Sequence, residues 1–171
     1  MIELSAEEFS ERFDEIYKIM EEAFPAEERR PYDKQKDLYN NGMYRVSAVF
    51  DNKKIIAFSA YWDIYDFIFV EHIAVHKDGR NRGIGGQMIS ALTEKYKKTL
   101  ILEVEPPISE LAQRRVVFYK RCGFHLNDFY YIQPALQNKE IELKIMSYPK
   151  SLNINEFIII KDKLYKYVYN K

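Results

Sequence analysis

A basic, glycine-rich segment of the chain could bind an anion. It reads Arg80-Asn81-Arg82-Gly83-Ile84-Gly85-Gly86 and lies between an apolar run typical of a buried strand and a pattern typical of a helix. Glycines let the backbone approach a ligand closely, and the first turn of a helix offers unpaired N–H groups at the positive end of its dipole. Such sites bind phosphate groups, so we expect a polyphosphate ligand here. The alternative is a glycine-rich turn whose arginines are only solvated.

Two familiar phosphate-binding motifs match this segment incompletely. A P-loop ends in Gly-Lys-Ser or Gly-Lys-Thr, whereas Gly86 is followed by a glutamine. A dinucleotide-binding fingerprint shares Gly83, Gly85 and an acidic residue about twenty positions further on, here Glu103. Its third glycine is replaced by Met88, and a loop separates the strand from Gly83. Binding of a nicotinamide dinucleotide therefore stays a weaker alternative.

A second motif, Phe118-Tyr119-Lys120-Arg121-Cys122-Gly123-Phe124, follows further along the chain. Together with the glycine-rich segment, which comes after a strand ending Ile73-Ala74-Val75, it resembles the GNAT superfamily of acetyl-CoA-dependent N-acetyltransferases. The order and spacing of the two motifs make the resemblance specific, and it covers the whole chain. The tail, LKIMSYP followed by a helix, is similar to a bacterial branch of the superfamily.

The resemblance implies that acetyl-CoA is the co-substrate. In the family the glycine-containing loop wraps the pyrophosphate of coenzyme A, which carries over to Arg80, Asn81, Arg82, Gly83, Ile84, Gly85 and Gly86. The pantetheine arm would pair like an added strand with the backbone of Ile73-Ala74-Val75, and main-chain N–H groups near Ile73 would polarise the thioester carbonyl. Many members hold the arm with an asparagine after the next strand. Here that stretch has none, and Ser109 or Gln113 could substitute.

Acetyl transfer to an amine needs a proton for the departing thiolate, so a general acid is expected. Tyr119 occupies the family's position for this acid. A phenol with a pKa near 10 is protonated at neutral pH and can donate. Packing is the alternative role, because the chain has 14 tyrosines.

The amine must lose a proton, so a general base is also expected. Glu71 is the predicted base, because a carboxylate in a central strand is costly without a partner or a role. We expect Glu71 to share a strand face with Ile73, and His72 to point to the opposite face. Glu103, Glu105 or a water relay are the alternative bases.

The acceptor is expected to be a primary amine of a small molecule or peptide, bound between residues 24–44 and 129–141. A cationic amine would be favoured by Glu21, Glu22, Glu27 and Glu28, and an aromatic slot could be lined by Tyr32, Tyr39, Trp62 and Tyr65. Ordinary solvated and core positions are the alternative for these side chains. A second functional hypothesis is a non-catalytic module that binds or senses acyl-CoA.

Hydrophobic patterning predicts the elements that would position these residues. Ser5 and Glu8 have the spacing of a capping box at the start of the first helix. Helices are predicted at residues 5–25, 83–97, 109–121 and 155–169, and strands at residues 43–50, 55–64, 67–75, 99–105, 126–132 and 141–148. The strand-helix-strand unit in the middle predicts a right-handed parallel crossover. The predicted fold is α/β, with a mixed, mostly antiparallel sheet of six to seven strands, a central parallel pair and flanking helices.

Composition limits the remaining possibilities. The chain has 171 residues, the size of one domain, so we expect a single N-acetyltransferase-like domain over residues 1–171. With 26 basic and 26 acidic side chains it has no overall positive field, which argues against nucleic-acid binding. Cys122 is the only cysteine and is interpreted as a packing residue, and no metal-ligand spacing is present. Without a signal peptide or a membrane-length apolar stretch, a cytoplasmic location is expected. Whether the chain forms a homodimer stays open.

Overall fold

The computed structural model describes residues 1–171, and an eight-stranded mixed sheet runs through it. The strands lie side by side in the order β1-β2-β3-β4-β5-β8-β6, and β7 also pairs with β8. All pairs are antiparallel except β4 and β5, which confirms the predicted fold class with its central parallel pair. The strands are β1 (Ile2–Glu3), β2 (Tyr44–Asp51), β3 (Lys54–Ile64), β4 (Phe67–Val75), β5 (Thr99–Val104), β6 (His125–Leu126), β7 (Tyr131–Gln133) and β8 (Ile141–Tyr148).

Helices cover both faces of the sheet. They are α1 (Ala6–Ala23), α2 (Tyr32–Asp37), α3 (Ile84–Tyr96), α4 (Glu110–Arg121) and α5 (Ile154–Tyr167). The larger core cluster packs α1 and α5 against one face, and the clusters on the other face contain the apolar side chains of α3 and α4. None of these helices combines the length and apolar character needed to cross a lipid bilayer.

The start and end of α1 follow directly from its sequence. Ser5 accepts a hydrogen bond from the Glu8 backbone N–H, and the Glu8 carboxylate accepts one from the Ser5 backbone N–H, which completes the predicted capping box. The helix ends at Ala23, two residues earlier than predicted. Phe24 precedes Pro25 and has an extended backbone, because a residue before proline disfavours the helical conformation. The chain after Phe24 therefore turns away over the end of β4.

The parallel pair β4 and β5 separates before either strand ends. Pairing runs from Phe67 opposite Thr99 to Val70 opposite Leu102 and then stops, although β4 continues to Val75. On its other edge β5 stays paired with β8. The second half of β4 therefore has a free edge facing β5, and a gap opens between the two strands.

A β-bulge lies at the point where the strands separate. His72 of β4 pairs with Ala60 of β3, and Val70 pairs with the next residue of β3, Tyr61. Glu71 is therefore an extra residue on β4, without an opposite partner. A bulge of this kind shifts the alternation of side chains along the strand.

The bulge overturns the expected orientation of the residues around it. Glu71 and His72 both point to the face covered by α1, where they contact Arg30 and Phe24 respectively. Ile73 packs on the opposite face, against the clusters beneath α3 and α4. The expectation that Glu71 shares a face with Ile73, with His72 opposite, is wrong because it assumed an unbroken two-residue period.

The C-terminal part of the sheet also differs from the prediction. The strand expected at residues 126–132 is divided into β6 and β7. Asn127 lies just after β6, and its side-chain amide donates to Ile145 O and Ser147 Oγ and accepts from Leu152 N. These bonds fix the bend at which the chain leaves the ladder. With this division and the two-residue strand β1, the sheet has eight strands instead of six to seven.

Candidate active site

A cavity of about 450 Å³ occupies the gap between β4 and β5. Its walls come from the second half of β4, the end of β5, the end of α1, the face of α4 and the β7–β8 hairpin. A groove of about 490 Å³ leads from it along the glycine-rich segment. The cavity and the groove share Ile73, Val75, Arg80, Leu111, Arg115 and Tyr119. The two motifs singled out in the sequence therefore meet in one continuous depression.

The groove ends at the N-terminus of α3. Gly83 is the N-cap residue and has a left-handed backbone with φ of 71°. The first helical bond runs from Gln87 N to Gly83 O, so the N–H groups of Ile84, Gly85 and Gly86 have no acceptor within the helix. These donors and the helix dipole make the end of the groove suitable for an anion.

The glycines of this segment meet different constraints. A Cβ on Gly85 would lie 3.2 Å from Phe118 Cζ, so Gly85 permits the close approach of α4. A Cβ on Gly86 would meet nothing within 4 Å, and the same holds for Gly83. Packing of the chain therefore explains Gly85, and the positive φ explains Gly83. Neither explains Gly86, which leaves the groove open next to the helix start.

The basic residues around the groove are only partly those expected. Arg80 lines both the groove and the cavity, and its Nε donates to Val75 O at 3.3 Å. Arg82 instead forms a 3.0 Å ion pair with Asp51 in the β2–β3 hairpin and does not line the groove. Arg114 and Arg115 of α4 line its other wall. Sequence analysis missed Arg115, although it precedes Tyr119 by four residues and so shares its helix face.

Tyr119 lies on the inner face of α4 and lines both the cavity and the groove. It is 8% exposed and packs edge-on against Phe124. Burial raises the pKa of its phenol well above the ordinary value of 10, although the nearby Arg115 charge opposes this. The hydroxyl therefore keeps its proton at neutral pH, as a proton donor in the cavity requires.

Glu71 lines the cavity as predicted, but both of its carboxylate oxygens are already engaged. Arg30 Nη1 donates to Oε1 at 2.6 Å, and Trp62 Nε1 donates to Oε2 at 3.1 Å. Arg30 also donates to Val168 O at 3.0 Å, which ties the pair to the end of α5. Burial alone would raise the pKa of Glu71, but the adjacent Arg30 charge and the two hydrogen bonds hold it below the ordinary value. Such a carboxylate is a weak base.

Glu103 of β5 lines the same cavity in a different environment. Its carboxylate accepts hydrogen bonds from the hydroxyl groups of Tyr131 and Tyr169, the latter at 2.8 and 2.9 Å. No cation pairs with it. Burial raises the pKa of Glu103 to about 7, and the charges of Glu71 and Glu28 add to the effect. This carboxylate can therefore exchange a proton near neutral pH.

Glu105 and His72, two further residues considered in the sequence analysis, also line the cavity. Glu105 forms a 3.0 Å ion pair with Arg115, which competes with any role as a base. His72 is 2% exposed, and its Nε2 lies 2.8 Å from Glu28 O. Because a carbonyl only accepts, Nε2 carries the ring proton. Burial lowers the pKa of His72, so the ring is neutral and anchors the chain that follows α1 onto β4.

Part of the region expected to bind the acceptor lines the cavity. Glu22, Phe24 and Glu28 line the cavity from one side, and Gln133 and Leu136 line it from the other. Glu21 is instead engaged with Arg29, and Glu27 lies in an adjoining outer groove.

The expected aromatic slot is wrong. Trp62 is buried behind Glu71, and Tyr32 and Tyr39 pack on the phenylalanines of α1. Tyr65 packs against Tyr167 at the surface. None of the four lines the cavity. The segment after α1 folds back on that helix, which directs the rings of Tyr32 and Tyr39 away from the cavity.

The residues considered as substitutes for the family's asparagine have local roles. Ser109 Oγ accepts from Ala112 N as the N-cap of α4, and Gln113 Nε2 donates to Pro107 O at 3.2 Å. Cys122 is half-buried against the core beneath α4, and burial raises the pKa of its thiol. A thiol that stays protonated is a poor nucleophile, in keeping with its interpretation as a packing residue.

Comparisons with known proteins agree with this geometry. Residues 13–124 match the model of the acetyltransferase (GNAT) family. The chain is 28% identical over 165 residues to the Bacillus subtilis (strain 168) protein "Putative acetyltransferase YjbC". The alignment covers 90% of this chain and 80% of that protein.

Two solved structures show the same fold. A "Putative acetyltransferase from GNAT family" of Bacteroides thetaiotaomicron is 29% identical and superimposes with a TM-score of 0.89, over 100% of this chain and 99% of the other. An aminoglycoside 6'-N-acetyltransferase complexed with coenzyme A is 14% identical with a TM-score of 0.60, over 78% of this chain and 88% of the other.

Proposed function

The chain belongs to the GNAT acetyltransferase family, and on that basis we propose that it transfers the acetyl group of acetyl-CoA directly to a primary amine within one domain formed by residues 1–171. One observation carries the proposal. The groove at the N-terminus of α3 runs without interruption into a cavity that holds a protonated phenol and several carboxylates, and Tyr119 lines both. A donor bound along the groove would thus present its thioester to an amine in the cavity.

The donor would occupy the groove through main-chain groups and a few cations. The pyrophosphate of coenzyme A would accept hydrogen bonds from the N–H groups of Ile84, Gly85 and Gly86, with Arg80 and Asn81 beside it. Arg115 on the opposite wall would add a charge that the sequence did not suggest. Arg82 stays a prediction for this role, because it would have to exchange its partner Asp51 for a phosphate.

The pantetheine arm would lie along the free edge of β4. Because β4 and β5 stop pairing at Val70, the main chain of Ile73, Ala74 and Val75 has no strand partner on that side. An extended arm can take the place of the missing strand. The bulge at Glu71 breaks the ladder next to the cavity, which supports the expectation that an N–H group near Ile73 polarises the thioester carbonyl.

In the proposed reaction the neutral amine attacks the carbonyl carbon of the thioester. A C–N bond forms, the C–S bond breaks, and the amine loses one proton while the thiolate gains one. Tyr119 gives its hydroxyl proton to the departing thiolate. Its raised pKa keeps this proton in place until the thiolate develops.

The proton from the amine goes to a carboxylate, and Glu103 meets the requirements better than Glu71. A general base works best when its pKa is close to the working pH. Glu103 has a pKa of about 7 and no cation beside it, whereas Arg30 holds the pKa of Glu71 low. We therefore assign the proton to Glu103, directly or through one water. Glu71, the base predicted from sequence, acts in this scheme by keeping Arg30 in place.

The test is release of coenzyme A thiol from acetyl-CoA in the presence of a panel of primary amines, combined with calorimetric titration of acetyl-CoA. Amine-dependent thiol release together with acetyl-CoA binding supports the proposal. Binding without thiol release for any amine would instead favour a module that binds or senses acyl-CoA. Absence of both would overturn the assignment of the groove.

A further inference from the structure

We infer that the acceptor is a free linear amine with a second positive charge, whose reacting amino group enters the cavity while its second cation lies in an adjoining outer groove. The inference rests on the proposed function and names the substrate class of the same site. The outer groove has a volume of about 540 Å³ and is formed by the chain after α1, the start of the loop after β5 and the N-terminal part of β8.

The outer groove is strongly acidic. Glu27, Glu28, Glu105, Glu140 and Glu142 line it, against one basic residue, Lys139. This is a local property, since the chain as a whole carries 26 acidic and 26 basic side chains. Among the five, Glu105 is engaged with Arg115, and none of the others forms an ion pair. The groove therefore has negative charge available for a cation.

The outer groove and the cavity form one path. Glu28, Glu105 and Leu143 line both. Burial raises the pKa of Glu28, and the nearby charge of Glu105 raises it further, whereas the charge of Arg115 opposes this. Arg115 is the ion-pair partner of Glu105, so Glu28 has no cation of its own at the junction. Leu143 gives the junction an aliphatic wall. A flexible hydrocarbon spacer between the reacting amino group and a second, charged nitrogen fits this path from the cavity past Leu143 to the acidic outer groove.

An independent observation in the cavity points to a polar ligand. Gln133 is 3% exposed and lines the cavity, yet its side chain makes no hydrogen bond, and its Nε2 is buried without a partner. Buried amides in folded proteins are nearly always hydrogen-bonded, so this one calls for a ligand. Because Nε2 is a donor, it calls for an acceptor on the ligand, and the lone pair of a neutral amino group is one; the amide oxygen beside it can accept from an amine N–H.

The first experiment compares acceptors that differ only in the second charge. Thiol release is measured with 1-aminobutane, 1,4-diaminobutane and spermidine at saturating acetyl-CoA. We expect kcat/KM for 1,4-diaminobutane to exceed that for 1-aminobutane by about tenfold or more. A fourth acceptor is a peptide with one lysine flanked by uncharged residues. It shows whether the enzyme prefers a free amine or a lysine side chain within a polypeptide.

A pair of variants with equal charge change locates the effect. Glu27→Gln with Glu140→Gln should abolish most of the preference for the diamine, because kcat/KM for 1,4-diaminobutane should fall much more than kcat/KM for 1-aminobutane. The control, Glu7→Gln with Glu11→Gln on the exposed side of α1, should leave the preference unchanged. Gln133→Leu should lower kcat/KM for both small amines alike without weakening acetyl-CoA binding.

Each result has a defined meaning. Equal kcat/KM for the monoamine and the diamine, or a preference that survives the Glu27/Glu140 change, overturns the inference while leaving acetyl transfer intact. Faster acetylation of the peptide than of any free amine overturns it in favour of a peptide acceptor. Acetyl-CoA binding without turnover of any tested amine contradicts the proposed transfer as well as the inference, and favours a module that binds or senses acyl-CoA. Absence of both acetyl-CoA binding and thiol release contradicts the proposed function at the donor groove itself.

Discussion

Arg30 reaches from the segment after α1 to donate a 2.6 Å hydrogen bond to Glu71, the bulge residue of β4. Both side chains are almost fully buried, so the two charges compensate each other next to the cavity, which Glu71 lines. The neighbouring carboxylate of Glu103 has no such cation and is held by two tyrosine hydroxyl groups. The ion pair thus distinguishes two buried carboxylates of the cavity: Glu71 has a structural role, and Glu103 is free to titrate.

Loss of Arg30 should destabilise the fold. Arg30→Met leaves Glu71 buried without its cation, and breaking a buried pair in this way costs about 3–5 kcal/mol. In the wild type the lowered pKa of Glu71 contributes stability above its unfolded pKa, and this contribution is lost as the pH falls through the folded pKa. In the variant the unpaired carboxylate gains stability on protonation. Urea denaturation should therefore show a larger deficit at pH 8 than at pH 5.

Two variants serve as controls for this ion pair. Arg82→Met removes an exposed partner of Asp51 and should cost less than about 1 kcal/mol. Arg30→Met combined with Glu71→Gln removes both charges and should recover part of the loss. A deficit for Arg30→Met no larger than that for Arg82→Met would contradict the structural role of the pair.

Glu103 should govern the pH dependence of acetyl transfer. Replacement by Gln keeps the shape and the hydrogen bonds to tyrosine but cannot accept a proton. We expect kcat/KM to fall by about 10²–10⁴-fold, the usual contribution of a general base, and the acidic limb near pH 7 to disappear. Glu105→Gln is the matched control on the same strand end. An unchanged acidic limb in the Glu103 variant would exclude this residue as the base and return the role to Glu71 or to water.

The same residue should affect stability independently of activity. The pKa of Glu103 rises from 4.5 to about 7 on folding, so between these values the folded state binds more protons than the unfolded state. Stability of the wild type should therefore fall as the pH rises through this window, by roughly 2–3 kcal/mol. Glu103→Gln should lack this slope. Thermal unfolding of both proteins at pH 5 and pH 8 measures the difference. The same change in stability between the two pH values in both proteins would argue against a raised pKa for Glu103.

Tyr119→Phe removes only the hydroxyl group and keeps the ring that packs on Phe124. Acetyl-CoA affinity should stay within about twofold, and turnover should fall by roughly 10²-fold or more, because the thiolate loses its proton donor. Tyr130→Phe, at a position that is 73% exposed, is the control. Normal turnover in Tyr119→Phe would rule out this hydroxyl as the acid.

Regular patterns in the sequence predicted much of the fold. The apolar run at residues 67–75 has the same bounds as β4, and the capping pair Ser5 and Glu8 marks the start of α1. Both features depend on neighbouring residues. The bulge at Glu71 could not be predicted in this way, because it depends on the register between two strands.

In the candidate site, too, local sequence patterns predict some features and miss those that depend on distant contacts. The glycine-rich segment and Tyr119 carry recognisable motifs, and the structure brings them together at one groove. Arg30 and Tyr169 come from distant parts of the chain and have no local signature. Their roles arise only when the segment after α1 and the end of α5 pack over the same strands. Partners of buried charges are therefore the part of the site that sequence patterns miss.

Isothermal titration of the wild type and of Gly86→Glu with acetyl-CoA, with NADH as the control ligand, tests the central claim most directly. A Cβ at Gly86 would meet nothing within 4 Å, so we expect Gly86→Glu to fold normally, and circular dichroism and thermal unfolding check this. We predict micromolar binding of acetyl-CoA to the wild type, none to the variant, and none of NADH to either. Unchanged acetyl-CoA binding in Gly86→Glu, or no binding to the wild type, would contradict the placement of the donor at the start of α3.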